Sequence, residues 1–126
     1  MSCEATGEIL IEGNSFAVLA RVTGLDGAVV TQSSIASGTY TVVLIDQDGT
    51  ATKAAAVVMT IASVFFNVLA TTNGWTRDTT GWNFRLIVPG SAVTAETGTL
   101  RVQFDLVDAS GYAIKAYVER TLDKMY

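Results

Sequence analysis

The last third of the chain keeps a strict period of two. Leu100, Val102, Phe104 and Leu106 alternate with Arg101, Gln103 and Asp105, then Asp108-Ala109-Ser110-Gly111 intervenes. The pattern resumes with Tyr112, Ile114, Ala116 and Val118 against Ala113, Lys115, Tyr117 and Glu119. Successive side chains of a strand point to opposite faces, so each run has one apolar and one wet face. Aspartate bonds back to the backbone of a turn and glycine takes its left-handed position, so the intervening segment reverses the chain. An antiparallel hairpin is expected, and the rest of the chain must cover its apolar face.

Other segments read the same way. Phe16, Val18, Ala20 and Val22 alternate with Ala17, Leu19 and Arg21, and Gly24-Leu25-Asp26-Gly27 ends that run. Val29 to Ile35 reads as a short second strand. Thr39 to Ile45 is apolar on both faces, as in a central strand or one whose outer face meets a partner. After the turn Asp46-Gln47-Asp48-Gly49 come two further runs, Lys53 to Thr60 and Val64 to Leu69, split near Ala62-Ser63. Ala54-Ala55-Ala56 has helix propensity, so a short helix there is the alternative. Thr71 to Gly81 is polar, and Asn83 to Val88 is a strand stopped by Pro89-Gly90. About seven short strands separated by turns predict an all-β fold, an antiparallel β-sandwich of immunoglobulin-like architecture. A small barrel is the alternative. With Cys3 as its one cysteine, the chain has no inter-sheet disulfide, so that kinship is architectural.

The first residues differ. Glu4, Glu8 and Glu12 precede the first basic residue, Arg21, and Gly7 and Gly13 weaken a helical reading of their spacing. We expect an extended N-terminal arm over residues 1–14, with Ile9, Leu10 and Ile11 as its apolar patch, and a single domain over 15–126. A frayed terminus or a first strand is the alternative for this segment.

Composition narrows the chemistry. There is no histidine among the 126 residues, so an imidazole base, a Ser-His-Asp triad and a histidine metal site are excluded. Eight basic against twelve acidic residues give a net charge of −4, the wrong sign for gripping a phosphate backbone. The longest apolar stretch, Ala54 to Leu69, contains Thr60, Ser63 and Asn67 and falls short of the ~20 apolar residues a helical span needs. Met1-Ser2-Cys3-Glu4 has no basic start before an apolar block, so no secretory signal is expected. The carboxylate pairs Asp46/Asp48 and Asp105/Asp108 fall at hairpin turns, where aspartate is favoured for backbone reasons. Counted as a calcium loop from Asp46, the required glycine and glutamate positions hold Ala51 and Val57, and the match fails. No phosphate-binding glycine loop is present. The reading is no enzyme, no cofactor, no nucleic acid and no membrane.

With only 16% of residues charged and 49% hydrophobic, much apolar surface must stay exposed on a domain this small. Lys53 and Pro89 are the clearest guards of sheet edges. Such a chain is expected to bury surface against copies of itself or other proteins. Trp75 and Trp82, with Arg77 between them, either meet a partner or a sugar, or fold back to cap one end of the sandwich.

The run Gly74-Trp75-Thr76-Arg77-Asp78-Thr79-Thr80-Gly81-Trp82-Asn83-Phe84-Arg85, then Val88-Pro89, follows Val64-Phe65-Phe66 and Leu69 and precedes the terminal hairpin. Over roughly Ser15 to Val118 the chain is similar to short immunoglobulin-like proteins encoded among the structural genes of tailed phages and prophage-like clusters. The resemblance implies a virion structural protein assembled in the host cytoplasm, a capsid cement or decoration subunit without cofactor. Its partners would be major capsid or tail subunits and copies of itself. On that reading Ile9, Leu10 and Ile11 dock the arm, and Trp75, Arg77 and Trp82 make loop contacts. A tail-associated connector, tube or baseplate component is one alternative. A module binding glycans through Trp75 and Trp82 is another.

Overall fold

The computed structural model describes residues 2–5, 9–11, 13–73, 75–95 and 97–123, the first two stretches and residue 123 through their backbone alone. The strands are β1 (Ser2–Ala5), β2 (Ile9–Ile11), β3 (Phe16–Thr23), β4 (Ile35–Ile45), β5 (Ala51–Lys53), β6 (Val57–Val58), β7 (Phe65–Ala70), β8 (Trp82–Val88), β9 (Gly98–Asp108) and β10 (Ala113–Asp123). One short helix, α1 (Ile61–Val64), precedes β7. Among the described residues no helix is long and apolar enough to cross a membrane.

Two sheets form. One has the order β1-β3-β8-β7, the other β2-β10-β9-β4-β5 with β6 also on β4. A sheet of β1, β3, β8 and β7 facing one in which the early strand β4 lies beside the last two, β9 and β10, matches the ABED and CFG strand order of an immunoglobulin-like sandwich. The barrel alternative falls, because the two sheets are separate. The terminal hairpin is longer than the alternation alone marks, with Ala113 opposite Val107 and Leu122 opposite Gly98. Its apolar face, Leu100, Val102, Phe104, Leu106 and Ile114, is buried against Phe16, Val18, Ala20, Phe84, Leu86 and Val88 of the facing sheet. Phe84 joins the layers, meeting Phe65 and Phe104 edge-on at ring-centroid distances of 5.1 and 5.0 Å.

Of the N-terminal segment 1–14, stretches 2–5, 9–11 and 13–14 are described. Over the described part the chain is extended, as expected, but β1 pairs antiparallel with β3, Ser2 opposite Thr23. β2 pairs in parallel with β10, Leu10 opposite Leu122. The chain thus gives one strand to each sheet, using edge hydrogen bonds that a free arm would leave to water.

Three further segments depart from their expected form. Val29 to Ile35 is not a strand: Val29 makes a single bridge to Thr23, and Gln32–Ser34 is a 3-10 turn. The Thr31 N–H bonds the Ser34 hydroxyl at 3.3 Å and the Ser34 N–H bonds the Thr31 carbonyl at 3.0 Å, so hydroxyl chemistry takes backbone groups a ladder would have used. β4 consequently starts at Ile35, ahead of Thr39. Lys53 to Thr60 is not one strand: β5 ends at Lys53 and β6 is Val57–Val58 alone, and the helical turn falls at Ile61–Val64 instead of on Ala54–Ala56.

Candidate functional site

The tryptophan loop connects β7 to β8 and folds back on the sheet. Trp75 and Trp82 are buried with Leu19, and Phe66 and Ala70 pack against them. This cluster lies apart from the main core and includes Leu19, whose neighbours Val18 and Ala20 face inward. The Trp82 indole N–H donates to the Thr72 carbonyl at 2.9 Å, and that of Trp75 to the Asp78 carbonyl at 3.0 Å. Phe66 meets Trp82 edge-on, with ring centroids 5.3 Å apart.

Asp78 organises the loop. Its carboxylate accepts from the backbone N–H of Gly81 and Thr80, from the Trp75 indole and, through both oxygens, from Nη1 of Arg21 at 3.0 and 2.8 Å. The Gly81 N–H above all, with Arg21, Trp75 and Thr80 assisting and desolvation opposing, holds this carboxyl down to about 2. Gly81 sits at φ 104°, and a Cβ there would run into the Ala70 carbonyl, so this turn needs glycine. Of the two expectations for Trp75 and Trp82, the geometry is that of the fold-back: both rings cover Leu19, and their indole N–H groups are satisfied within the loop. Arg77 is exposed on the same loop.

Ile9, Leu10 and Ile11 are placed by backbone beside β10, and their side chains lie outside the described residues. Of the residues predicted for contact, Trp75, Arg77 and Trp82 share the segment from the β7–β8 loop to the start of β8.

A different surface is assembled at the end of the sandwich where the β3–β4 loop meets the β9–β10 turn. Gly24, Leu25, Asp26, Ala28, Val29 and Val30 face Ser34, Asp108, Ser110 and Tyr112 across an open hollow of about 390 Å³. Val30 and Ile114, both buried, form its base. At its rim Leu25 is 64% and Tyr112 60% exposed, with Val29 also in solvent. The backbones beneath are fixed. Gly24 N–H bonds the Ala28 carbonyl at 2.9 Å, and Ala109 N–H ties the turn to the Ser34 carbonyl at 2.8 Å. Asp26 Oδ1 accepts from Ala28 N–H, and Asp108 Oδ1 accepts from Ser110 and Tyr112 N–H. Those carboxylates are turn devices, as are Asp46 and Asp48, whose Oδ1 atoms both receive the Thr50 N–H.

Sequence reasoning missed this hollow because its residues come from turns far apart in the chain. The available signal was a large apolar side chain beside turn glycines: Leu25 between Gly24 and Gly27, and Tyr112 after Gly111. No protein-family model, no curated protein and no solved structure matches the chain. The class defined here is that of an immunoglobulin-like β-sandwich presenting an apolar-rimmed loop end.

Proposed function

We propose that this chain is a structural protein of tailed-phage virions, a cement or decoration subunit that docks on a neighbouring capsid subunit through its loop end. The observation that carries the reading is the pairing of exposed Leu25, Val29 and Tyr112 with loop backbones already held by internal hydrogen bonds. A rim whose backbone is already ordered has no loop-ordering cost left on docking, and an aromatic beside an aliphatic is the composition of an interface centre. The setting is the expectation drawn from the sequence of the Gly74–Arg85 run, which resembles phage structural proteins. A tail-associated ring would use the same surface at far lower copy number.

The test is a Leu25→Ser/Tyr112→Ser variant titrated onto particles that lack the protein. Retained circular dichroism with occupancy reduced at least about tenfold (a loss of about 1.4 kcal/mol) is expected. Unchanged occupancy by a folded variant would remove the loop end from the docking surface.

A further inference from the structure

The outer face of the larger sheet carries an array that packing does not require. In register across β4, β9 and β10 lie three rows: Val43-Arg101-Glu119, Thr41-Gln103-Tyr117 and Thr39-Asp105-Lys115. Lys53 extends the first row from β5, opposite Val43. A shallow groove of about 420 Å³ runs over this face, lined by Lys53, Gln103, Asp105, Lys115 and Tyr117 together with Phe104 and Ala116.

Each member is held in a way that leaves binding capacity over. Tyr117 is 58% exposed, and the Arg101 guanidinium sits 4.7 Å from its ring centroid, which steadies the ring on the sheet. Arg101 is in turn held by Glu119 at 3.3 Å. Lys115 reaches Asp105 at 3.5 Å, with both side chains well exposed. Val43 is buried although it points outward, because it lies between Lys53 and Arg101, whose alkyl stems cover such a neighbour. Lys53 makes no ion pair among the described residues, so its ammonium stands at the groove with three donors to offer.

We infer that this groove is a binding site for a carboxylated oligosaccharide, with a pyranose ring on Tyr117 and a sugar carboxylate on Lys53. A sugar ring offers an apolar face edged by hydroxyls. A tyrosine ring meets that face, and the Gln103 amide and the Asp105 carboxylate meet the hydroxyls from the same side. The charge balance points to an acidic sugar: Lys53, Arg101 and Lys115 stand against Asp105 and Glu119, a local excess of one positive charge on a chain of net charge −4. The site is separate from the loop end and does not rest on the docking reading.

The test is a titration of the ¹⁵N-labelled chain with tetragalacturonate, with maltotetraose and sodium hexametaphosphate as comparison probes, followed by amide shifts. Tetragalacturonate is expected to move amides of Lys53, Gln103 and Tyr117, and to bind at least about tenfold tighter than the neutral tetramer. Tyr117→Leu keeps an apolar side chain on an exposed site and is expected to weaken binding about tenfold, while Lys53→Gln removes the preference for the acidic sugar. Hexametaphosphate is expected to leave the Tyr117 amide in place. No shift with tetragalacturonate at millimolar concentration, shifts that survive Tyr117→Leu in a folded variant, or equal response to hexametaphosphate would each overturn the proposal.

Discussion

The side-chain amide of Asn83 pairs with both backbone groups of Val22: the Val22 N–H donates to its Oδ1 at 2.7 Å, and its Nδ2 donates to the Val22 carbonyl at 3.0 Å. A second proton of the same amide reaches the Val30 carbonyl at 2.7 Å. Asn83 is fully buried. The β3–β8 ladder is registered from Phe16/Val88 to Ala20/Phe84, and beyond its end the carboxamide acts as a substitute peptide. It also secures the loop that leads to β4, which joins the fold's core to the geometry of the loop end.

Asn83→Ala is therefore expected to leave the Val22 N–H and the Val30 carbonyl without partners, while the Val22 carbonyl keeps the Val30 N–H. At about 1–3 kcal/mol for each unpaired group, the loss is roughly 2 kcal/mol or more. Urea unfolding with an unchanged slope and a lower midpoint is the check. Asn83→Asp puts a carboxyl against two carbonyl oxygens, which favours its protonated form and raises its value in the folded state. Its deficit should accordingly be smallest at acid pH and grow as pH rises past the ordinary aspartate value of about 3.9.

Asp78 gives the opposite pH dependence. Its folded value of about 2 lies below the ordinary 3.8, so the ionised form supports the loop. That support is complete above the unfolded value and is lost as pH falls through about 2. Tryptophan emission should shift between these limits in the native chain. In Asp78→Asn the shift should be absent and the neutral-pH melting temperature lower, and an identical acid transition in the two proteins would contradict the role given to Asp78.

Gly81→Ala meets both a left-handed backbone and the Ala70 carbonyl. The expected cost exceeds about 1 kcal/mol, since alanine at a position of positive φ destabilises by more than its entropic gain. Thermal unfolding measures it, and the variant's tryptophan emission should move to longer wavelength as the loop lifts off Leu19.

Phe104→Ala removes the ring that Phe84 meets across the layers. A loss of about 3–5 kcal/mol is expected for a buried phenylalanine, against less than about 0.5 kcal/mol for an exposed position such as Val68→Thr. Denaturant unfolding of both variants separates core from surface.

Where one side of a strand is buried, the period of two was readable, so the terminal hairpin, β3 and β8 stand where alternation puts them. Val29 to Ile35 misled because its β-branched residues look like a strand, while Thr31, Ser33 and Ser34 bond locally. The pairing of β1 and β2 was not legible: short edge strands carry too few residues for a pattern, and their pairing is a tertiary event. In the Trp75–Arg85 run the legible positions are packing devices. Asp78 holds the loop, Gly81 turns it, and Asn83 and Phe84 fill the interior. The loop-end hollow was illegible because Leu25 and Tyr112 meet only when two turns are brought to one end.

Quantitative peptide counting on purified particles from the source tests the central claim most directly, with shell and tail proteins as internal standards. The decoration reading requires abundance comparable with the major shell protein. A few copies per particle would place the chain in the tail instead, and its complete absence from particles would contradict a virion role.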